Sequence, residues 1–253
     1  PDVKRMLMQM RSMTEAARAM SFFTIAAEDR SHRHPDADQR KADAELVEVM
    51  TPLVKGWCTE VSMEITSLGV QVHGGMGFIE ETGAAQHMRD ARILPIYEGT
   101  NGIQALDFTG RKCLRDGGEA VSRLIADMRQ TVADLASSTG AVKGLATALS
   151  TTADQCQQSL DYVLSHNEKA PSLAYNYMML FGNSVSFWLL VKLAAAAQRH
   201  IDQGSDNPYY GQKIKTATFF SSQILTRNLA YVASVVTDSN YAEEILAADF
   251  QTI

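Results

Sequence analysis

The stretch that decides the fold class is residues 46–68, LVEVMTPLVKGWCTEVSMEITSL, because its apolar residues repeat with a helical period. Steps of three and four place side chains on one face of an α-helix. The residues that follow this spacing are Leu46, Met50, Leu53, Trp57, Val61, Ile65 and Leu68. Pro52 lies inside the pattern, so we predict that the helix kinks there or restarts with Thr51 as its cap.

The same helical period continues along nearly the whole chain, and no two-residue alternation typical of strands is found. Before Gly117 the pattern predicts an apolar stripe over 3–20, a charged loop at 28–39, a short helix over 82–92 and a helix capped by Thr100 that runs to about 115. After it we predict helices over 121–135, 142–163, 172–203 and 208–237, the last capped by Asp206-Asn207. The tail from Asp238 carries no clear signal. The sequence therefore predicts an all-α fold.

The strongest boundary signal in the chain is Gly117-Gly118, which separates two groups of helical patterns. We predict an antiparallel helical bundle over residues 1–117, followed by an additional helical domain over residues 118–253. A chain of 253 residues can form two domains of ordinary size with their own cores.

Composition and charge exclude several classes of function. The chain has 23 basic and 29 acidic residues, and the acidic excess divides evenly between 1–117 and 118–253, so no nucleic-acid partner is expected. No apolar run approaches the roughly 20 residues that span a bilayer, so no transmembrane segment is expected. The three cysteines form no framework and are expected to be buried thiols. His32 and His34 lack neighbours at ligand spacing, and no metal site is predicted.

A glycine-rich run follows the helix of residues 46–68: His73-Gly74-Gly75-Met76-Gly77. Such a run lets backbone N–H groups approach a phosphate from which side chains would otherwise exclude them. Taken alone, the same residues are more typical of a helix C-cap followed by a tight turn, with His73 held by backbone carbonyls. The pattern differs from the dinucleotide-binding G-x-G-x-x-G motif.

A second motif, Tyr97-Glu98-Gly99-Thr100-Asn101-Gly102, places a carboxylate just before a helix start. Apolar residues precede it, and burial among them would raise the pKa of Glu98 toward neutrality, which suits a general base. The helix N-terminus from Thr100 to Ile103 supplies N–H donors for an anion such as a pyrophosphate. The alternative is that Glu98 is an ordinary turn residue that faces solvent.

These motifs together resemble the C-terminal helical domain of the acyl-CoA dehydrogenases. The resemblance lies in QVHGGMGF at 71–78, RDARI at 89–93 and IYEGTNGIQ at 96–104, and it extends over about residues 1–115. The second half of the chain resembles the extra helical domain of the longer bacterial members of that family.

The resemblance implies roles for individual residues around an FAD cofactor. Glu98 is implied to be the base that removes the α proton of an acyl-CoA thioester, with its own backbone N–H on the thioester carbonyl. Tyr97 and Gly99 are implied to line the acyl pocket. Two stretches are implied to contact flavin: Gln71, Val72, His73, Gly74 and Gly75, which reach the FAD of a neighbouring subunit, and Thr100, Asn101 and Gly102. Many members carry Gln where this chain has Gly102, so a side-chain contact is missing there.

The resemblance also implies the context in which the chain works. It implies an electron-transfer flavoprotein as acceptor, a homodimer or homotetramer, and a place in the bacterial cytoplasm or, in a eukaryote, the mitochondrial matrix. Family members carry an N-terminal helical domain and a middle β domain before this region. We therefore expect the chain to be the C-terminal part of a longer enzyme, and to be inactive alone. The alternatives are a relative of the acyl-CoA oxidases, or a non-catalytic helical module for oligomerisation or DNA protection.

Overall fold

The computed structural model describes residues 1–237 and 244–250, and within these ranges the chain is helical and contains no strand. The predicted all-α fold class is confirmed. Most of the tail from Asp238, which carried no sequence signal, lies outside the described residues, and the described part of it includes the short 3-10 helix Ala247–Phe250.

Ten α-helices are found in the described ranges. They are α1 Asp2–Arg33, α2 Ala37–Val72, α3 Gly75–Phe78, α4 Ala84–Arg92, α5 Asn101–Leu106, α6 Glu119–Asp134, α7 Gly140–Ser165, α8 Ala170–Asp202, α9 Pro208–Gln223 and α10 Asn228–Val235. A π-helical turn, Asp107–Arg111, follows α5 directly. Short 3-10 helices occur at Glu80–Thr82, Leu114–Asp116, Asn167–Lys169 and Leu225–Arg227.

Helices α1 and α2 form a long antiparallel hairpin with a loop of only three residues, 34–36. The predicted loop at 28–39 is therefore too long, because the chain stays helical through Arg33. Arg30, in the last turn of α1, reaches across to Asp43 of α2 with a 2.6 Å ion pair. The Asp36 carboxylate accepts a hydrogen bond from the Asp38 amide and caps α2.

Helix α2 runs through Pro52 without ending, so the predicted restart at Thr51 is wrong. The Thr51 hydroxyl donates to the Val47 carbonyl at 2.7 Å, inside the same helix, instead of capping a new one. Pro52 and Leu53 are buried, and so is Trp57 one turn later. A proline inside a helix removes one hydrogen bond and costs roughly 3 kcal/mol. Burial of this apolar face offsets that cost.

Helix α8 forms the centre of the protein and packs against helices of both halves, α1, α2, α5, α7 and α9 among them. The buried apolar residues of residues 1–117 and 118–253 join in one continuous core. The span Asn167–Asp202 is long and apolar enough to cross a membrane, which the sequence analysis did not anticipate. However, 89% of its most apolar window is buried inside the protein, as for the core helix of a globular fold.

The helix predicted over 208–237 is divided in two, since α9 ends at Gln223 and α10 begins at Asn228. Asn228 is fully buried, and a buried amide needs hydrogen-bond partners. It accepts a bond from Asn183 and donates one to Ser184, both at 3.0 Å. These buried hydrogen bonds fix the position of Asn228, where α10 begins after the interruption. The predicted cap at the other end is confirmed, because the Asn207 side chain accepts from the Tyr209 amide at 3.0 Å.

The three cysteines are free thiols, as the sequence predicts. Cys113 and Cys156 are buried and Cys58 is half-buried. Burial raises the pKa of Cys113 to about 11 and the pKa values of Cys58 and Cys156 to about 12. A thiol with such a pKa is almost wholly protonated at neutral pH and is a poor nucleophile.

Candidate functional site

The loop between α4 and α5 carries Glu98, and its backbone is unusual. Glu98 has φ 52°, the single positive value among the described non-glycine residues, and Gly99 follows with φ 86°. A left-handed conformation costs a residue with a side chain about 1–3 kcal/mol, and such strain concentrates at functional sites. The loop is closed by two backbone bonds of 3.1 Å, from the Tyr97 amide to Ile93 and from the Asn101 amide to Pro95.

A lysine of α2 donates hydrogen bonds to this loop. The Lys55 ammonium donates to the Gly99 carbonyl at 2.6 Å and to Oδ1 of Asn101 at 2.9 Å. Burial lowers the pKa of Lys55, and the nearby carboxylates of Glu60 and Glu98 oppose that shift. On the other side of the loop, the Gln104 side chain reaches the Glu98 carbonyl at 3.5 Å.

The Asn101 side chain is 4% exposed and points into the protein, toward α2. Its amide group lies within hydrogen-bond distance of the Gly56 carbonyl (3.2 Å), the Thr59 hydroxyl (2.9 Å) and the Glu60 carboxylate (2.9 Å). Every polar atom of the side chain is thus engaged. The flavin contact predicted for Asn101 stays a prediction.

Two of the four N–H donors predicted at the start of α5, from Thr100 to Ile103, are used within the chain. The Asn101 amide bonds to Pro95, and the Ile103 amide donates to the Thr100 hydroxyl at 3.3 Å. The predicted Thr100 cap is therefore confirmed. Among the described residues, the amides of Glu98 and Gly102 make no hydrogen bond and can bind another molecule.

Glu98 is exposed in this chain, so the prediction of a carboxylate sheltered by its own neighbours is wrong for this part of the protein. Ile93, Ile96 and Tyr97 are about half exposed (51%, 46% and 47%) and turn outward with it. The loop projects from the bundle, so its apolar side chains form an uncovered surface around the carboxylate. Gly99, predicted beside Tyr97 in the acyl pocket, is exposed on the same surface.

The glycine-rich run begins at His73 as the C-cap of α2, as the helix-cap interpretation predicts, and continues into α3 from Gly75. Nδ1 of His73 lies 2.7 Å from the Gly69 carbonyl, and the Gly74 amide donates to Gln71. A side chain at Gly77 would strike the Val70 carbonyl at 2.2 Å, so this position requires glycine. The edge formed by Gly74 and Gly75 is different, because a Cβ atom there would meet nothing within 4 Å. This edge is open to another molecule.

The two stretches predicted to contact flavin lie near different points along α2. Gln71, Val72 and His73 lie at its C-terminal end, whereas Lys55 holds the Glu98 loop sixteen residues earlier. At 1.5 Å per residue, that separation is about 24 Å along the helix. The structure does not bring the two stretches together into one pocket.

Two apolar grooves flank α4, and Glu98 lines neither of them. One groove, of ≈ 620 Å³, includes Phe78 and Met88, and the other, of ≈ 720 Å³, includes Met10 and His87. No group of three His, Cys, Asp or Glu residues that could hold a metal is found in the described part of the chain.

Lys55 is the site residue that sequence reasoning missed. It lies two positions before Trp57 but off the apolar face of residues 46–68, so its charge was the available signal. A lone lysine on a helix is usually a solvated one, so the signal needed the Glu98 loop beside it to be interpreted.

Two protein-family models match the chain. The family described as "Acyl-CoA dehydrogenase, C-terminal domain" matches residues 1–112, and "Acetyl-CoA dehydrogenase C-terminal like" matches residues 124–245. The matched ranges lie on either side of Gly117-Gly118, where the sequence analysis places a domain boundary. That boundary stays a prediction, since the core crosses it.

Curated relatives from bacteria cover most of this chain. It is 43% identical over 229 residues to 3-methylmercaptopropionyl-CoA dehydrogenase of Ruegeria pomeroyi, a match that covers 89% of this chain. It is 29% identical over 239 residues to the broad-specificity linear acyl-CoA dehydrogenase FadE5 of Mycobacterium tuberculosis, which again covers 89% of this chain. The chain spans 39% of the length of each of these relatives.

Solved structures share the fold. Caenorhabditis elegans ACDH-11 in complex with C11-CoA has a TM-score of 0.70 at 22% identity, covering 87% of this chain and 36% of that one. An acyl-CoA dehydrogenase from Bacillus anthracis complexed with FAD has a TM-score of 0.70 at 20% identity, covering 94% and 43%. Helical architecture, both family models and the curated relatives agree, and this chain belongs to the acyl-CoA dehydrogenase family.

Proposed function

We propose that this chain is the C-terminal part of a flavin-dependent acyl-CoA dehydrogenase, in which Glu98 is the base that removes the α proton of an acyl-CoA thioester. The observation that carries the proposal is the left-handed backbone of Glu98, held in place by Lys55. An exposed turn has no need of a strained glutamate, whereas a base must point at one carbon atom. Below, "the whole enzyme" means the longer protein proposed to contain this chain.

The proposed reaction divides between two atoms of the substrate. The Glu98 carboxylate takes the proton from the α carbon, while its own unengaged amide donates to the thioester carbonyl and stabilises the negative charge that develops there. Gly99 has no side chain to obstruct the acyl group, and Tyr97 supplies an apolar wall beside it. FAD, when bound, accepts the hydride that leaves the β carbon.

Features of this chain fit an FAD molecule. A Cβ atom at Gly74 or Gly75 would project into open space, so a ligand can approach that backbone closely. The free Gly102 amide is a second donor for a polar group of the cofactor. In the proposed assembly the edge at Gly74 and Gly75 would reach the FAD of a neighbouring subunit, and Gly102 would belong to the second flavin contact. The side chain of Asn101 would take no part in either.

Exposure of the Glu98 surface explains why we propose that the isolated chain is inactive. Water has free access to the carboxylate, and the apolar residues around it are uncovered. In the whole enzyme the acyl chain and the remaining polypeptide would cover this surface. We also propose an electron-transfer flavoprotein as acceptor, a homodimer or homotetramer as the working assembly, and a place in the bacterial cytoplasm or, in a eukaryote, the mitochondrial matrix.

Bleaching of the visible flavin absorbance in the whole enzyme tests the proposed reaction. Anaerobic titration with a panel of thioesters, namely butyryl-, palmitoyl- and 3-methylmercaptopropionyl-CoA, is expected to give complete bleaching with at least one of them. The corresponding α,β-unsaturated thioesters are matched controls. They are expected to leave the flavin oxidised and its absorbance unchanged, since they have already lost the α and β hydrogens. Bound flavin that no saturated thioester reduces would contradict the proposal. Reoxidation by electron-transfer flavoprotein rather than oxygen separates a dehydrogenase from an oxidase.

Gly102 gives a prediction about cofactor affinity. A Cβ atom there meets only the Thr100 hydroxyl at 3.8 Å, so a longer side chain fits. Gly102→Gln restores the residue of many family members and is expected to tighten FAD binding to the whole enzyme by about three- to tenfold, the effect of one added hydrogen bond. Titration of the apoenzyme with FAD measures it. Gly144→Gln, on the exposed face of α7, is the control, and equal changes in both variants would contradict the prediction.

A further inference from the structure

The Lys55 side chain connects two parts of the Glu98 loop. Its ammonium donates to the Gly99 carbonyl, directly after Glu98, and to the buried side chain of Asn101, at the start of α5. We infer that Lys55 is a positioning residue that fixes the direction of the Glu98 carboxylate, an inference that rests on the proposed role of Glu98.

The backbone that carries Lys55 is closely packed, because α2 meets α8 at the next residue. A Cβ atom at Gly56 would lie 2.3 Å from Sδ of Met178, and Trp57 beyond it is fully buried. The lysine therefore extends from a fixed point of the core. Met178 belongs to the second half of the chain, so residues 118–253 contribute to the support of the loop.

The second attachment point of Lys55 is equally fixed. Asn101 contacts Gly56, Thr59 and Glu60, all of them on α2, and lies almost entirely out of solvent. With Asn101 held by α2, the lysine closes a ring of contacts that passes through the Gly99 carbonyl. A hydrogen bond from a charged donor is shorter and stronger than a neutral one, and the 2.6 Å bond to Gly99 is of that kind.

The chemistry of the contact favours a positioning role over a merely structural one. Lys55 forms no ion pair with a carboxylate within the described ranges, although Glu60 and Glu98 lie close enough to affect its pKa. It is half-buried, and an apolar side chain of the same length would fill its space. Its ammonium group instead donates to the Gly99 carbonyl and to Oδ1 of Asn101. Without the bond from Lys55 to Gly99, the strained left-handed backbone of Glu98 could relax into other conformations.

The test is substrate-dependent bleaching in the whole enzyme with Lys55→Met and Lys55→Arg. Lys55→Met keeps the stem and loses the donors, and we expect the rate at saturating acyl-CoA to fall roughly 10- to 100-fold, as for reacting groups misplaced by about 1 Å. The KM and the FAD content are expected to stay near their wild-type values. Lys55→Arg keeps a charged donor and is expected to give an intermediate rate. Lys112→Met is the matched control, since Lys112 also donates to α2, but at Glu48 and away from the loop.

Two results would overturn the inference. One is a rate per bound flavin within about threefold of wild type for Lys55→Met, or for Lys55→Ala, which also lacks the donors, should the methionine variant not fold. The other is a raised KM with an unchanged rate at saturation, which indicates a lost binding contact. Failure of the proposed function is distinguishable, because then the wild-type enzyme is not bleached, or Glu98→Gln is bleached as fast as wild type.

Discussion

Glu98→Gln in the whole enzyme is expected to slow substrate-dependent flavin bleaching by about 10²- to 10⁴-fold, the usual contribution of a positioned general base. Glutamine has nearly the same size and shape as glutamate but cannot accept a proton. The Lys55 and Gln104 bonds reach backbone carbonyls of the loop, so they survive the substitution. Flavin binding is expected to be unchanged, because the flavin-contacting residues proposed here lie outside position 98.

The control for this variant is Glu168→Gln, which removes another exposed carboxylate far along the sequence, before α8. Stopped-flow absorbance of each variant, mixed with the thioester that bleaches wild type best, gives the comparison. A rate for Glu98→Gln within about tenfold of wild type would remove Glu98 from the role of base, since that is below the usual effect of a lost general base.

Gly182→Ala is expected to destabilise this chain by about 1–3 kcal/mol, which is the usual cost of forcing an extra group into a packed core. A Cβ atom at Gly182 would lie 2.4 Å from two ring carbons of Trp57. Trp57 has no room to move, because it is fully buried and its indole N–H donates to Asn183 at 2.7 Å. Urea unfolding followed by circular dichroism measures the change in the free energy of unfolding.

The matched variant is Gly144→Ala, in which the glycine also lies inside a helix but faces open space. It is expected to stabilise the chain by about 0.5–1 kcal/mol, because alanine is the better helix former. Trp57 and Gly182 belong to different halves, so we expect one unfolding transition that shifts as a whole in Gly182→Ala. Equal unfolding midpoints for Gly182→Ala and wild type would contradict the packing described here.

Local signals predicted the parts of the fold that depend on neighbouring residues. Thr100 and Asn207 cap their helices as expected, because a cap bonds an amide two or three residues away. The prediction failed where a distant contact decides. Pro52 lies on a buried face of a continuous α2. The helix predicted over 208–237 is interrupted before Asn228, whose hydrogen-bond partners lie 44 and 45 residues earlier.

The candidate site shows the same division. The motif around Glu98 was recognisable because its residues are consecutive, and so was the glycine turn. The lysine that holds the loop was not, since Lys55 precedes Gly99 by 44 residues and no local rule connects them. The exposure of Glu98 was also unpredictable, because apolar neighbours in sequence do not say toward which side of the loop they turn.

The apolar period and the helix caps were enough to predict a helical protein. The short motifs showed its resemblance to the acyl-CoA dehydrogenases and singled out one carboxylate. These properties depend on residues within a few turns of each other, where backbone geometry is nearly constant. Folding in three dimensions decided the rest: a single core shared by both halves, a strained glutamate, and the lysine beneath it. Such features arise when helices far apart in the chain compete for the same space and for the same hydrogen-bond partners, and only packing settles that competition.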